Sequence, residues 1–217
     1  MVMDRLGPSL SCVQKSHLDG IAMRDIINVG IQVILRLKDL HGLGIVHCNI
    51  TPSNIVAMSP AFQGWGIIDF GNSRLYLEKK GHLPFLYKFA SWPVGCYSSV
   101  HAHMGCTPCR RDDLESLAYV LLHLMEGTLP WLHLDALTPE HRNLWISMKS
   151  RILETEMMRK APRAFYKFVE VIMSMEPTSD PPYESLIGFL KEMGQEYVRW
   201  HEGANELALA FEQGLTF

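Results

Sequence analysis

Residues 112–126 constrain the fold more than any other stretch of this chain. Leu114, Leu117, Ala118, Leu121, Leu122 and Met125 spread round most of a helical circumference there. A helix that is apolar on nearly every side has to be surrounded by other elements, so it is expected at the centre of a core. Asp112 is expected to cap it, with Glu115 three residues on at capping-box spacing. Gly127 and Pro130 end it, and Trp131 follows on a turn.

The surrounding elements also read as helices. Residues 23–41 carry Ile26, Ile27, Ile31, Ile34, Leu35 and Leu37 at helical spacing, with Gly42 and Gly44 as stop signals. Gly30 inside that helix costs about 1 kcal/mol relative to alanine, which points to close packing at that position. Residues 139–158, 162–175 and 182–199 are three further helical stretches, punctuated by Pro162 and by Pro181 and Pro182. Residues 1–10 turn at Gly7 and Pro8 and read as a strand end or linker; residues 11–20 hold a short helix or a loop. Residues 72–110 show no sustained period, yet Phe85, Tyr87, Phe89, Trp92 and Tyr97 argue that this long loop packs. The chain is therefore expected to be mainly α with a small β hairpin.

That hairpin is expected from residues 55–58 and 65–68, around Pro60 and Gly64. It lies between two loops of chemical interest. The first reads His47-Cys48-Asn49-Ile50-Thr51-Pro52-Ser53-Asn54, and the second contains Asp69-Phe70-Gly71. Asp69 can ligate magnesium, which prefers carboxylate and phosphate oxygens together, and Asn54 can add a second oxygen. The alternative is an Asx turn at Asn54 and a strand-end turn at Asp69. This layout belongs to phosphoryl transfer, in which one loop carries a base and a metal ligand and another carries a second ligand. At the base position stands Asn49, and a carboxamide is no base at neutral pH; loss of that role costs on the order of 10²–10⁴ in rate. Thr51 cannot supply a positive charge to a migrating phosphoryl group. His47 is expected to be a packed loop histidine bonded to the backbone rather than a general base, and Cys48 a buried thiol.

Four further residues, His101, His103, Cys106 and Cys109, are of the types zinc prefers. Zinc is not expected there, because one Cys-x-x-Cys with histidines so close is strained as a single site. Arg110 and Arg111 are expected to pair with Asp112, Asp113 or Glu115 rather than to bind an anion. The chain has 217 residues and a formal net charge of −3, which suits one domain and gives no push toward nucleic acid or an anionic membrane. No signal peptide is visible, and the longest apolar run, residues 117–125, is too short to cross a bilayer. Five cysteines at irregular spacing suit a reducing, intracellular compartment, cytoplasm or nucleus.

With these motifs in view, the chain resembles the C-terminal lobe of a protein kinase. It is most similar to the casein kinase I superfamily, especially its vaccinia-related branch. Residues 1–10 resemble the hinge, residues 47–54 the catalytic loop, residues 67–71 the Asp-Phe-Gly turn, and residues 99–131 the substrate loop and central helix. The resemblance implies a hinge-like segment at 1–10, a lobe at 11–200 and a tail at 201–217. It implies Asn54 and Asp69 as magnesium ligands, vestigial or weak, and Asp113 as the holder of the His47 loop, with His47 and Gly71 structural. It also implies that residues 72–110 form the activation and peptide-binding segment.

Departures from the pattern fall on the chemistry. Asn49 replaces the catalytic aspartate and Thr51 the catalytic-loop lysine. The chain starts at the hinge and shows no Gly-rich loop, no ATP-pairing lysine and no helix-borne glutamate, so ATP and magnesium are expected only if an N-lobe is supplied. The implied function is a pseudokinase-like signalling module that binds a protein partner, a kinase or phosphatase among the candidates. The alternatives are a residual Ser/Thr kinase dependent on an N-lobe from a longer isoform or partner, and a fragment without function.

Overall fold

The computed structural model describes residues 5–17, 20–59, 61, 64–78, 81–87, 94–134 and 138–212. Residues 1–4 of the hinge-like segment, Phe89 and Trp92 of the long loop, Pro60 of the hairpin turn and residues 213–217 of the tail lie outside the described residues.

In chain order the elements begin with α1 (Leu10–Ser16), α2 (Met23–Gly42), β1 (Ile45–Val46), β2 (Ile55–Ala57) and β3 (Trp65–Ile67). A 3-10 turn (Phe70–Asn72) leads to β4 (Arg74–Leu75), β5 (Leu77–Glu78), β6 (Gly81–His82) and α3 (Val100–His103). Then come α4 (Arg110–Glu126), α5 (Pro139–Ser150), a second 3-10 turn (Ile152–Glu154), α6 (Glu156–Lys160), α7 (Arg163–Ser174) and α8 (Tyr183–Glu212).

Helix α4 is the centre expected of it: 13 of its 17 residues are buried. Helices α2 and α7 pack against it, and α8 closes over both of them. On α2 the buried stripe is Ile26, Val29, Gly30, Val33, Ile34 and Leu37, the i, i+3, i+4, i+7 face of an amphipathic helix. Leu35, expected on that face, is exposed, and Ile27 and Ile31 sit at its margins. A Cβ on Gly30 would lie 2.7 Å from Leu190 Cδ1 and 3.0 Å from Leu121 Cδ1, so glycine lets α2, α4 and α8 meet. In Gly30→Ala, overpacking at about 1–3 kcal/mol outweighs a propensity gain of about 1 kcal/mol. A net loss on the order of 1 kcal/mol is expected, read as a lower urea midpoint at unchanged slope.

The expected hairpin is present, with Ile55 opposite Ile67 and Ala57 opposite Trp65. Its outer edge is extended by residues 7–9: Gly7 N–H donates to the Ala57 carbonyl at 2.8 Å, and Ala57 N–H to Pro8 at 3.0 Å. Two more antiparallel pairs, β1 with β4 and β5 with β6, lie where no strand was expected. Strands of two residues leave no period to detect.

Three helix boundaries differ from expectation: the last helix, expected over 182–199, runs on to Glu212, and two others are displaced or broken. Helix α4 starts at Arg110, with Cys109 at the N-cap; Asp112 stands at N3, where its Oδ2 accepts the Cys109 N–H at 2.7 Å. The stretch 139–158 is broken after Ser150, because Thr155 accepts the Met158 N–H and so caps a new helix, α6. Among the described residues, no helix is long and apolar enough to cross a membrane.

Candidate functional site

The loop at residues 47–54 follows β1 and precedes β2, and the Asp69 turn follows β3, so the hairpin presents both loops side by side. What fixes them is Asp113, in the first turn of α4 and 1% exposed. Its Oδ2 accepts the His47 N–H at 2.7 Å and its Oδ1 the Cys48 N–H at 2.8 Å. A third bond comes from His41 Nε2 at 3.0 Å, donated to the carboxylate. These bonds hold the loop by its backbone; His41 and its own neighbour Tyr183, whose hydroxyl is 2.6 Å from Nδ1, were missed. In the sequence these two are an ordinary last-turn histidine and first-turn tyrosine, and no local signal singles them out.

His47 is completely buried. Its Nε2 donates to the Ile68 carbonyl at 3.1 Å, so the remaining nitrogen, Nδ1, accepts the Asn49 N–H at 3.3 Å. Burial, acting against the Asp113 charge, lowers its pKa and keeps the ring in the neutral form that this tautomer needs. With both nitrogens engaged, His47 ties one loop to the other and is not placed as a base. Phe70 packs edge-on against the ring at 5.1 Å.

Two residues here adopt left-handed backbone: Cys48 with φ 64° and Asp69 with φ 66°. Such positions cost on the order of 1–3 kcal/mol and persist where neighbours over-determine them. At Cys48 the neighbour is Asp113. At Asp69 it is the Gly71 N–H, which donates to Oδ1 at 3.3 Å; a Cβ on Gly71 would lie 3.2 Å from that same oxygen. Burial pushes the Cys48 thiol pKa up, aided by Asp113, so it is an inert thiol.

Asn49 faces the second loop. Its Nδ2 donates to Asp69 Oδ2 at 3.4 Å, and its carbonyl accepts from Asn54 Nδ2 at 3.0 Å. Asn54 and Asp69 thus converge on Asn49 from two sides. Asn54 Oδ1 and Asp69 Oδ2 are the oxygens that would hold a magnesium ion. The fit is poor, because only one is a carboxylate and a cation at Oδ2 has to displace the Asn49 amide. Thr51 is half-buried, and its carbonyl accepts the N–H groups of Asn54 and Ile55.

The residues considered for zinc are distributed among separate tasks. His103 Nε2 lies 3.1 Å from Lys149 Nζ, Cys109 is the N-cap of α4, and Cys106 is buried. Among the described residues, the one group of three or more ligand-type side chains lying within 4.8 Å of one another is His101, Asp112 and Glu115. There the carboxylates already accept from Ser99 Oγ, Cys109 N–H, Val100 N–H and Tyr119 OH. The two arginines do not pair with Asp112, Asp113 or Glu115. Arg110 binds Asp180 and the carbonyls of Thr178 and Ser179, and Arg111 donates to Met175, because those acids are turned toward residues 47–48 and 99–100.

Burial, with Lys149 and Arg142, lowers the His103 pKa from 6.5 to about 3. Between these values the unfolded chain binds a proton that the folded chain does not, so stability falls as pH drops from about 6.5 toward about 3. His47, His101 and His123 are shifted in the same direction. Melting temperature is expected to decline steadily between pH 6.5 and 4, and less steeply in His103→Asn.

Comparison with known proteins finds relatives named as casein kinase I homologs. Casein kinase I homolog 2 of Schizosaccharomyces pombe is 28% identical over 217 residues, a match that covers 95% of this chain and 48% of that protein. Casein kinase I homolog 1 of Saccharomyces cerevisiae is 28% identical over 205 residues, covering 90% of this chain and 38% of that protein. The chain's relatives are casein kinase I proteins. It spans less than half the length of these two. No family model matches the chain.

Proposed function

We propose that this chain is a catalytically impaired, kinase-like module of the casein kinase I superfamily, closest to the vaccinia-related branch, which acts in signalling by binding a protein partner. The observation that carries the reading is the Asn49 side chain. It stands where a kinase loop presents a carboxylate, and its amide donates to Asp69 at 3.4 Å, the carboxylate that would otherwise hold the cation. An amide neither accepts the hydroxyl proton of a substrate nor adds charge to a metal site. Thr51, in place of the catalytic-loop lysine, leaves the developing phosphoryl charge without a cation from this loop. The frame, meanwhile, is complete: His47, Asp113, Asn54, Asp69 and Gly71 hold both loops in register. A preserved frame without its reacting groups suits recognition.

The partner face of this reading is the segment 72–110, where Leu86 and Tyr87 are exposed. A kinase or a phosphatase is the class of partner proposed.

A second reading, a residual Ser/Thr kinase completed by an N-lobe, is favoured by the relatives, which are named casein kinases, and by the intact frame. Thermal shift with ATP and magnesium, together with transfer of labelled phosphate to a generic acceptor, each measured with an added N-lobe, separates the two. The impaired module shows neither. A melting shift accompanied by label on the acceptor would overturn it. Asn49→Asp with Thr51→Lys restores the missing groups, and phosphotransfer by that double variant on addition of an N-lobe assigns the defect to these two positions.

A further inference from the structure

Lys149 stands near the end of α5, and none of its surface reaches solvent. Its Nζ lies 4.9 Å from the ring centroid of Tyr119, 5.0 Å from Trp131 and 5.3 Å from Trp145. The amine donates to the Ser98 carbonyl and lies 3.1 Å from His103 Nε2. The charged and titratable groups facing this box come from every element around it. They are Glu115 and Tyr119 on α4, His103 on α3, Cys96 on the adjoining loop, and Arg142, which acts on His103 from α5. Glu115 is the carboxylate among them, and its Oε1 already accepts from Val100 N–H and Tyr119 OH.

The two protonation states of the amine fit this box differently. An ammonium has three N–H bonds and no lone pair. One N–H serves Ser98 and one serves Nε2 of the neutral His103, and the positive charge faces three aromatic rings, where it is attracted by their quadrupoles. An uncharged amine has two N–H bonds and a lone pair. Those two N–H bonds still reach Ser98 and His103 Nε2, but without charge assistance and with the lone pair set against the ring faces, so both contacts weaken.

We propose that Lys149 is a proton-dependent clamp: its ammonium pins the Ser98 carbonyl and with it the loop at residues 94–99, and loss of its proton releases that loop. The loop is otherwise held by Trp131 Nε1, which donates to the Cys96 carbonyl at 2.7 Å, by the Tyr97 hydroxyl, which bonds to His123 Nδ1, and by Ser99 Oγ, which donates to Asp112 at 2.7 Å. It forms the C-terminal part of the segment 72–110, so the clamp regulates the binding face proposed above and, as regulation, rests on that reading. Burial lowers the Lys149 pKa from 10.5 to about 7, against the opposing charge of Glu115, which puts the transition in the neutral range. Between those values the unfolded chain holds the extra proton, so this group makes global stability rise with pH while the loop loosens. The opposite signs separate the clamp from general unfolding.

The test compares backbone hydrogen exchange of residues 96–99 at pH 6 and pH 8, corrected for the intrinsic rate, with the Lys149 ¹³Cε shift followed by NMR over the same range. The native chain is expected to show a Lys149 midpoint near 7 and a loss of protection at residues 96–99 of about tenfold, a local opening. Lys149→Arg, charged at both pH values, is expected to lose the pH dependence, and Lys149→Met to lack protection at both. Equal protection of the native loop at both pH values overturns the clamp, as does the same pH-dependent loss in Lys149→Arg. Should either variant fail to fold, the native chain decides alone: a Lys149 midpoint above about 9 overturns the proposal, because the charge would then persist throughout. No partner enters this measurement, so its failure leaves the partner-binding reading standing, and failure of that reading leaves the clamp standing.

Discussion

Asp113→Ala is expected to lower the melting temperature by roughly 6–20 °C. The substitution leaves two backbone donors, the buried His47 N–H and the part-buried Cys48 N–H, and the His41 imidazole without their acceptor. Breaking a buried charged contact by removing one partner costs about 3–5 kcal/mol. A chain of this length shifts by roughly 2–4 °C per kcal/mol. The left-handed backbone at Cys48 then has nothing to hold it, so fast exchange of the amides at residues 47–49 is expected even below the melting transition. Asp113→Asn, which keeps the shape and one acceptor oxygen, is expected to lose less. Differential scanning calorimetry on the three proteins checks the order; a fall of less than about 1 kcal/mol in Asp113→Ala would show that the loop is held by other contacts.

The second large effect is expected at Asn49, in ligand response rather than stability. In the native chain Asn49 and Asp69 form a donor–acceptor pair, so their loops meet without a cation. Asn49→Asp turns that pair into two facing carboxylates, which disfavour each other's ionised forms. The variant is expected to melt lower in EDTA and to recover with magnesium or manganese. At ten times Kd, binding contributes about 1.4 kcal/mol, a recovery of roughly 3–6 °C. The native chain is expected to melt at the same temperature with and without the ion. Equal responses from the two proteins would show that the amide is no substitute for the cation.

Much of this molecule was legible in its residues, for reasons that differ by element. Helices α2, α4, α7 and α8 carry long apolar periods, and little besides a helix sustains a period of that length. The hairpin was legible because Gly64 and Pro60 punctuate two apolar runs. The two-residue strands β1, β4, β5 and β6 carry no period, and their pairing is set by where the chain is led after Asp69. The break after Ser150 depends on one threonine, Thr155, that outcompetes the helix by capping the next one. Within the site, the chemistry at Asn49 and Thr51 could be read directly, because residue type alone excludes a base and a cation. The tautomer of His47, the His41–Tyr183 support and the enclosure of Lys149 could not. Ile68 lies 21 positions from His47 and Tyr183 lies 142 from His41, and sequence distance hides which side chains share a volume.

The grip of Asp113 on the loop has a consequence for how this chain can change over generations. It holds the His47 and Cys48 N–H groups, which every residue but proline possesses, and the His41 ring; no side chain at 48, 49 or 51 takes part. Shape and reactivity are therefore specified by different atoms. A lineage can exchange the side chains that act on a phosphate without disturbing the contacts of Asp113, so the outline of the loop can be inherited long after its chemistry has been let go.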